Sequence, residues 1–84
     1  MKIPTKFISQ GIWWTVRYTD DMENLGETDY ENQVVKIQRS LSQEMKEMSF
    51  LHEITHTFNT TIDHTLVDSL SNQFYQVLKE NKLI

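Results

Sequence analysis

The chain is 84 residues long, contains no cysteine and carries a formal net charge of −4. That length gives one domain, residues 1–84, with a thin core to which a bound metal can add folding energy. Disulfides and thiolate ligands are excluded, so any ion must be held by imidazole and carboxylate, a donor set that suits an open zinc site.

The segment from Met1 to Lys6 leads into no long apolar run, so neither a signal peptide nor a membrane span is expected. Phe7-Ile8 and Ile12 to Tyr18 are rich in β-branched and aromatic residues and read as strands, joined tightly through Ser9, Gln10 and Gly11. In the second run Trp14, Val16 and Tyr18 alternate with Trp13, Thr15 and Arg17, so the two tryptophans point to opposite faces. One belongs in the core, and the other is expected to be partly exposed.

Asp20 to Asn24 reads as a loop. Six of the twelve acidic residues fall between Asp20 and Glu31, most simply as a solvated loop and hairpin. The basic residues are scattered, with no Lys/Arg block to follow a phosphate backbone, which argues against direct nucleic-acid binding. Thr28-Asp29-Tyr30 is a third strand, Glu31-Asn32 a turn, and Gln33 to Gln38 a fourth strand with Val35 and Ile37 on one face.

From Ser40 the period becomes helical. Ser40 with Gln43 forms a potential capping box, and Ser42 is a competing N-cap. Met45, Met48, Leu51, Thr55 and Phe58 make a broad stripe that Phe50 and Ile54 widen, which predicts a helix packed on two sides, by the sheet and by a second helix. Asn59 to Asp63 ends it. The second helix spans about Thr65 to Asn81, with Leu66, Leu70, Phe74, Val77 and Leu78 as its apolar stripe and Lys79 and Lys82 near its C-terminus. The fold class is therefore α+β: a small, mostly antiparallel sheet followed by two helices.

The first of these helices carries His52-Glu53-Ile54-Thr55-His56, an HExxH motif. Residues four apart share a helix face, so both imidazoles can grip one ion, and Glu53, one position on, is placed to take a proton from water at that ion. Met45 and Met48 lie on the histidines' side of the wheel, which puts the metal site at the edge of the core. A working zinc site takes three protein ligands and leaves a fourth position for water.

Four residues can supply the third ligand. His64 does not fit the extended HExxHxxGxxH pattern, because Asn59 and Ile62 stand where glycine and histidine belong. Asp63 reads as a loop residue or N-cap, and Glu80 lies too near the far end of the second helix. Asp68 sits in that helix's first turn, where its carboxylate can return to a metal on the preceding helix or cap a backbone N–H as the last residue of Thr65-Leu66-Val67-Asp68. It shares a face with Asn72 and Tyr75, and the wheel leaves open whether that face meets the metal or solvent. Tyr30 and Tyr75 are candidate oxyanion donors, with simple packing as the blander role for each.

The HExxH helix, the short connection and Asp68-Ser69-Leu70-Ser71-Asn72-Gln73-Phe74 resemble the small phage and prophage zincin-like proteins related to the ImmA/IrrE metallopeptidases. Thr28-Asp29-Tyr30 with Gln33 to Ile37 is similar to the strand pair that precedes the active helix there, so the likeness runs from Thr28 to the end. It implies a zincin-like fold with Zn2+ held by His52, His56 and Asp68, and Glu53 as general base. Asp68 stands where the family more often has Glu, and Ser71 where it has Ala. The resemblance further implies peptide-bond hydrolysis in the cytoplasm of a bacterial host. The partner would be a protein substrate such as a host or phage regulator, held by strand addition at a free sheet edge, with neither membrane nor nucleic acid involved. The alternative is a catalytically weak or inactive scaffold that binds a protein.

Overall fold

A computed structural model describes residues 1–20 and 23–84. Four strands, β1 (Lys6–Ser9), β2 (Ile12–Thr19), β3 (Gly26–Asp29) and β4 (Val34–Gln38), precede two helices, α1 (Gln43–Phe58) and α2 (His64–Glu80). The class is thus α+β. Asp21 and Met22, in the loop expected between Asp20 and Asn24, lie outside the described residues.

The strand order is β1-β2-β4-β3. β1 and β2 form an antiparallel hairpin that pairs Ser9 with Ile12. Its two-residue loop has positive φ at both Gln10 (51°) and Gly11 (77°), the sign pattern of the turn whose twist matches a hairpin. β4 then inserts between β2 and β3, parallel to β2 (Val16 opposite Val35) and antiparallel to β3 (Thr28 opposite Val35). Two of the three pairings are antiparallel, so the sheet is mixed. The third strand starts and ends earlier than its β-propensity suggests, at Gly26 and Asp29. Asp29 closes it by accepting backbone N–H bonds from Glu31 and Asn32, each at 3.1 Å.

One face of the sheet is the core. Trp14, Val16, Val35 and Ile37 point into it and pack against Phe50 of α1, with Phe7, Tyr18 and Ile54 at the margin. Trp13 is 58% exposed on the opposite face, as strand alternation requires, beneath the Lys6 ammonium 5.2 Å from its ring. α1 starts at Ser42, whose hydroxyl accepts the Met45 N–H at 3.2 Å, so Ser42 rather than Ser40 is the cap. The helix lies between the sheet and α2, as its broad stripe predicts. The centre of its buried face differs from expectation. Phe50, Glu53 and Thr57 are buried, whereas Phe58 stands exposed.

α2 departs further. Leu66, Leu70, Phe74 and Val77 are 40–61% exposed, and Val67, Ser71 and Tyr75 are buried in place of the expected stripe. The buried set is Leu66, Leu70 and Phe74 shifted by one residue, about 100° round the helix. Polar pairing accounts for the rotation: the buried Glu47 carboxylate of α1 requires a donor, which Tyr75 (4% exposed) supplies, and Val67 (0%) and Ser71 (2%) are buried on the same face of α2. The Ser71 hydroxyl is satisfied by donating to the Asp68 carbonyl at 3.3 Å. Tyr75 donates to the buried Glu47 carboxylate at 3.1 Å, which Lys79 also approaches. Burial and this carboxylate push the Tyr75 hydroxyl up to about 12, so its phenol is committed to the helix interface. No helix among the described residues is long and apolar enough to cross a membrane.

Candidate metal centre

α1 presents His52 and His56 one turn apart, and their Nε2 atoms face each other at 3.2 Å. Two ligands about 2.0–2.1 Å from a tetrahedral ion stand roughly 3.3 Å apart, so this spacing fits a shared ion. Desolvation lowers the pKa of both rings. The neighbouring histidines lower it further, against a smaller opposing effect of Asp68 on His52. Neutral imidazole, the form that binds metal, is thereby favoured.

α2 brings a third ring to the same place. Asn59 Oδ1 accepts from the Thr61 N–H at 2.9 Å and from its hydroxyl at 2.7 Å, folding the five-residue connection into a tight reversal. His64 follows as the first residue of α2. Its ring centroid is 4.8 Å from that of His52 and 5.5 Å from that of His56. His52, His56 and His64 each offer a nitrogen within 4.8 Å of the other two, the one such cluster among the described residues. His64 stands two residues beyond the position at which the extended motif places its third histidine, and the turn through Asn59 to Asp63 still returns it to α1. The signal for His64 is its place at the start of α2, separated by two residues from a turn-forming Asn-Thr-Thr segment.

Because α2 starts at His64 with Asp63 as its N-cap residue, Asp68 is the fifth helical residue, beyond the capping positions. Its Oδ1 lies 3.4 Å from Nδ1 of His52. The open question of which way this face looks is thereby answered: Asp68 and Asn72 line the same cleft as the histidines. Asp63 makes no side-chain capping bond.

Glu53 is buried beneath β3, 6% exposed. The Thr28 hydroxyl donates to its Oε1 at 2.9 Å, and Oε2 is 3.9 Å from His52 Nε2. Burial raises its pKa, and the Thr28 bond offsets that in part. Gly26 makes the arrangement sterically feasible, since a Cβ there would stand 2.5 Å from Ser49 Oγ and 2.9 Å from Glu53 Oε2. Tyr30, at the end of β3, donates to the His56 carbonyl at 3.3 Å and lines the cleft. The cleft measures about 570 Å³, with Met45, Met48, Leu25, Gly26 and Thr28 also lining it.

No family model matches the chain, and no curated protein or solved structure shows significant similarity to it. What the site can do is therefore carried by its own geometry.

Proposed function

We propose that this chain is a zinc-dependent metallopeptidase of zincin-like type, related to the ImmA/IrrE proteins, acting in the bacterial cytoplasm on a protein substrate. The observation that carries the reading is the facing pair of Nε2 atoms at 3.2 Å with a buried glutamate on the same side of His52. His52 and His56 would hold the ion, with a third donor from the start of α2. The donor set, two desolvated imidazoles without thiolate, fits zinc in an open site. When bound, the ion supplies Lewis acidity, lowering the pKa of a coordinated water from about 16 towards 7.

The chain's own residues do the rest. Glu53 accepts the water's proton and returns it to the leaving amine, and its raised pKa suits both transfers. Thr28 holds the carboxylate by Oε1, leaving Oε2 towards His52. β3 is an edge strand, and Leu25, Gly26 and Thr28 border the cleft, so an extended peptide added along that edge lies beside the histidines. Tyr30 is the phenol at the cleft, available to the developing oxyanion once it leaves the His56 carbonyl.

A second reading, a scaffold that binds a protein without turnover, is favoured by the unpartnered apolar face of α2 at Leu66, Leu70, Phe74 and Val77. One pair of variants separates the two. Glu53→Gln should retain zinc and lose cleavage of an unfolded reporter protein, and His56→Ala should lose both. Cleavage by Glu53→Gln at the wild-type rate would remove the peptidase reading.

A further inference from the structure

The metal centre needs a third protein donor, and α2 offers two within its first five residues, His64 and Asp68. They stand differently around His52. Its Nε2 faces His56 Nε2 at 3.2 Å and Glu53 Oε2 at 3.9 Å, so that edge of the ring looks into the site. Asp68 Oδ1 meets the other nitrogen, Nδ1, at 3.4 Å. The two nitrogens of an imidazole diverge, and a carboxylate on one holds the ring from behind while the other is presented to an ion. His64 belongs to the cluster in which each histidine offers a nitrogen within 4.8 Å of the other two, and Asp68 does not.

We propose that His64 completes a three-histidine shell and that Asp68 is a positioning residue, accepting Nδ1–H of His52 and fixing the tautomer that leaves Nε2 free. This deepens, and rests on, the metal-site reading above. His64 closes the shell by a small swing, since the nitrogens now lie within 4.8 Å and ligands around a tetrahedral ion stand roughly 3.3 Å apart. As the exposed first residue of α2, its ring has room for that movement. Asp68 is itself 60% exposed at its side chain, and its Oδ1 already stands 3.4 Å from Nδ1. A shell of three neutral imidazoles leaves the full divalent charge on the ion, whereas two imidazoles and a carboxylate halve it.

Zinc titration against a chelator of known affinity, with X-ray absorption at the zinc edge to count imidazoles, tests the assignment on the full chain. The expected pattern is three imidazoles in the wild type, two in His64→Ala with affinity lowered more than 100-fold, and three still in Asp68→Ala. Affinity in Asp68→Ala should fall about 10–100-fold, the usual effect of losing such a support. Asp68→Asn, which keeps an acceptor for Nδ1–H, should recover part of that loss. Two imidazoles plus a carboxylate oxygen in the wild type, with Asp68→Ala losing the ion and His64→Ala unaffected, would overturn the proposal while leaving the metal site intact. A wild type that takes up no zinc would remove the metal site itself. Circular dichroism of each variant separates loss of a ligand from loss of fold.

Discussion

Replacing Gly26 by alanine puts one methyl group where the sheet and the histidine-bearing helix meet. The new Cβ stands 2.5 Å from Ser49 Oγ and 2.9 Å from Glu53 Oε2, against ordinary contact from 3.4 Å, so the two groups must retreat by 0.9 Å and 0.5 Å. Ser49 Oγ can rotate away, but only by giving up its bond to the Leu25 carbonyl at 3.2 Å in a residue that is 7% exposed. That loss is worth about 1 kcal/mol. Overpacking of this kind destabilises by about 1–3 kcal/mol. A total of about 2–4 kcal/mol lowers the melting temperature of a domain this size by about 8–32 °C. Glu53 moves with it, and if the chain is the peptidase proposed above, displacing its base by a fraction of an ångström should cut turnover by up to about 100-fold. Thermal melting of Gly26→Ala, Ser49→Ala and the double variant measures the effect, because Ser49→Ala removes the nearest atom and should recover part of the loss. Zinc affinity should hardly change. An unchanged melting temperature in Gly26→Ala, with no compensation by Ser49→Ala, would refute the close approach of β3 to α1.

Metal-free protein should show opposed pH dependences from the site. His52 and His56 have lowered pKa values, so the unfolded chain binds protons first and stability falls as pH drops below about 6.5. Glu53 has a raised pKa, so its contribution is greatest at low pH and is lost as pH rises through its folded value; Glu53→Gln should therefore melt higher than wild type at neutral pH, and a lower melting point there would contradict its burial. Tyr75→Phe removes a bond to the buried Glu47 carboxylate and should cost about 1.5–3 kcal/mol in denaturant unfolding, without changing zinc affinity. Phe74→Ser, at a 61% exposed site, should change stability by less than about 0.5 kcal/mol, and a loss typical of a core aromatic would reinstate the Leu66/Leu70/Phe74 face as buried.

Much of the local structure is legible in the residues. The Gln10-Gly11 turn, the Trp13/Trp14 alternation, the Ser42 cap and the facing of His52 and His56 each follow from a short-range rule, and each is present. Two features escape such rules. Parallel pairing of β2 with β4 is a long-range choice to which no neighbouring residue commits. The rotation of α2 overrides its own hydrophobic period, because the buried face is set by contacts with α1, among them Tyr75 on the buried Glu47 carboxylate. The nearness of His64, one of the four third-ligand candidates, to His52 and His56 is likewise a long-range outcome. It depends on a chain reversal, not on helical spacing.

The insertion of β4 between β2 and β3 has a consequence for the order of assembly. The β1–β2 hairpin can form from adjacent residues within microseconds. β3 has no partner until the strand that follows it has been laid down, and Thr28 cannot reach Glu53 until α1 has arrived in turn. A chain emerging from the ribosome amino end first therefore builds its hairpin half early. The cleft around the histidines closes only when the last helix docks, so a nascent or truncated form carries the HExxH motif without His64, Asp68 and Thr28 around it.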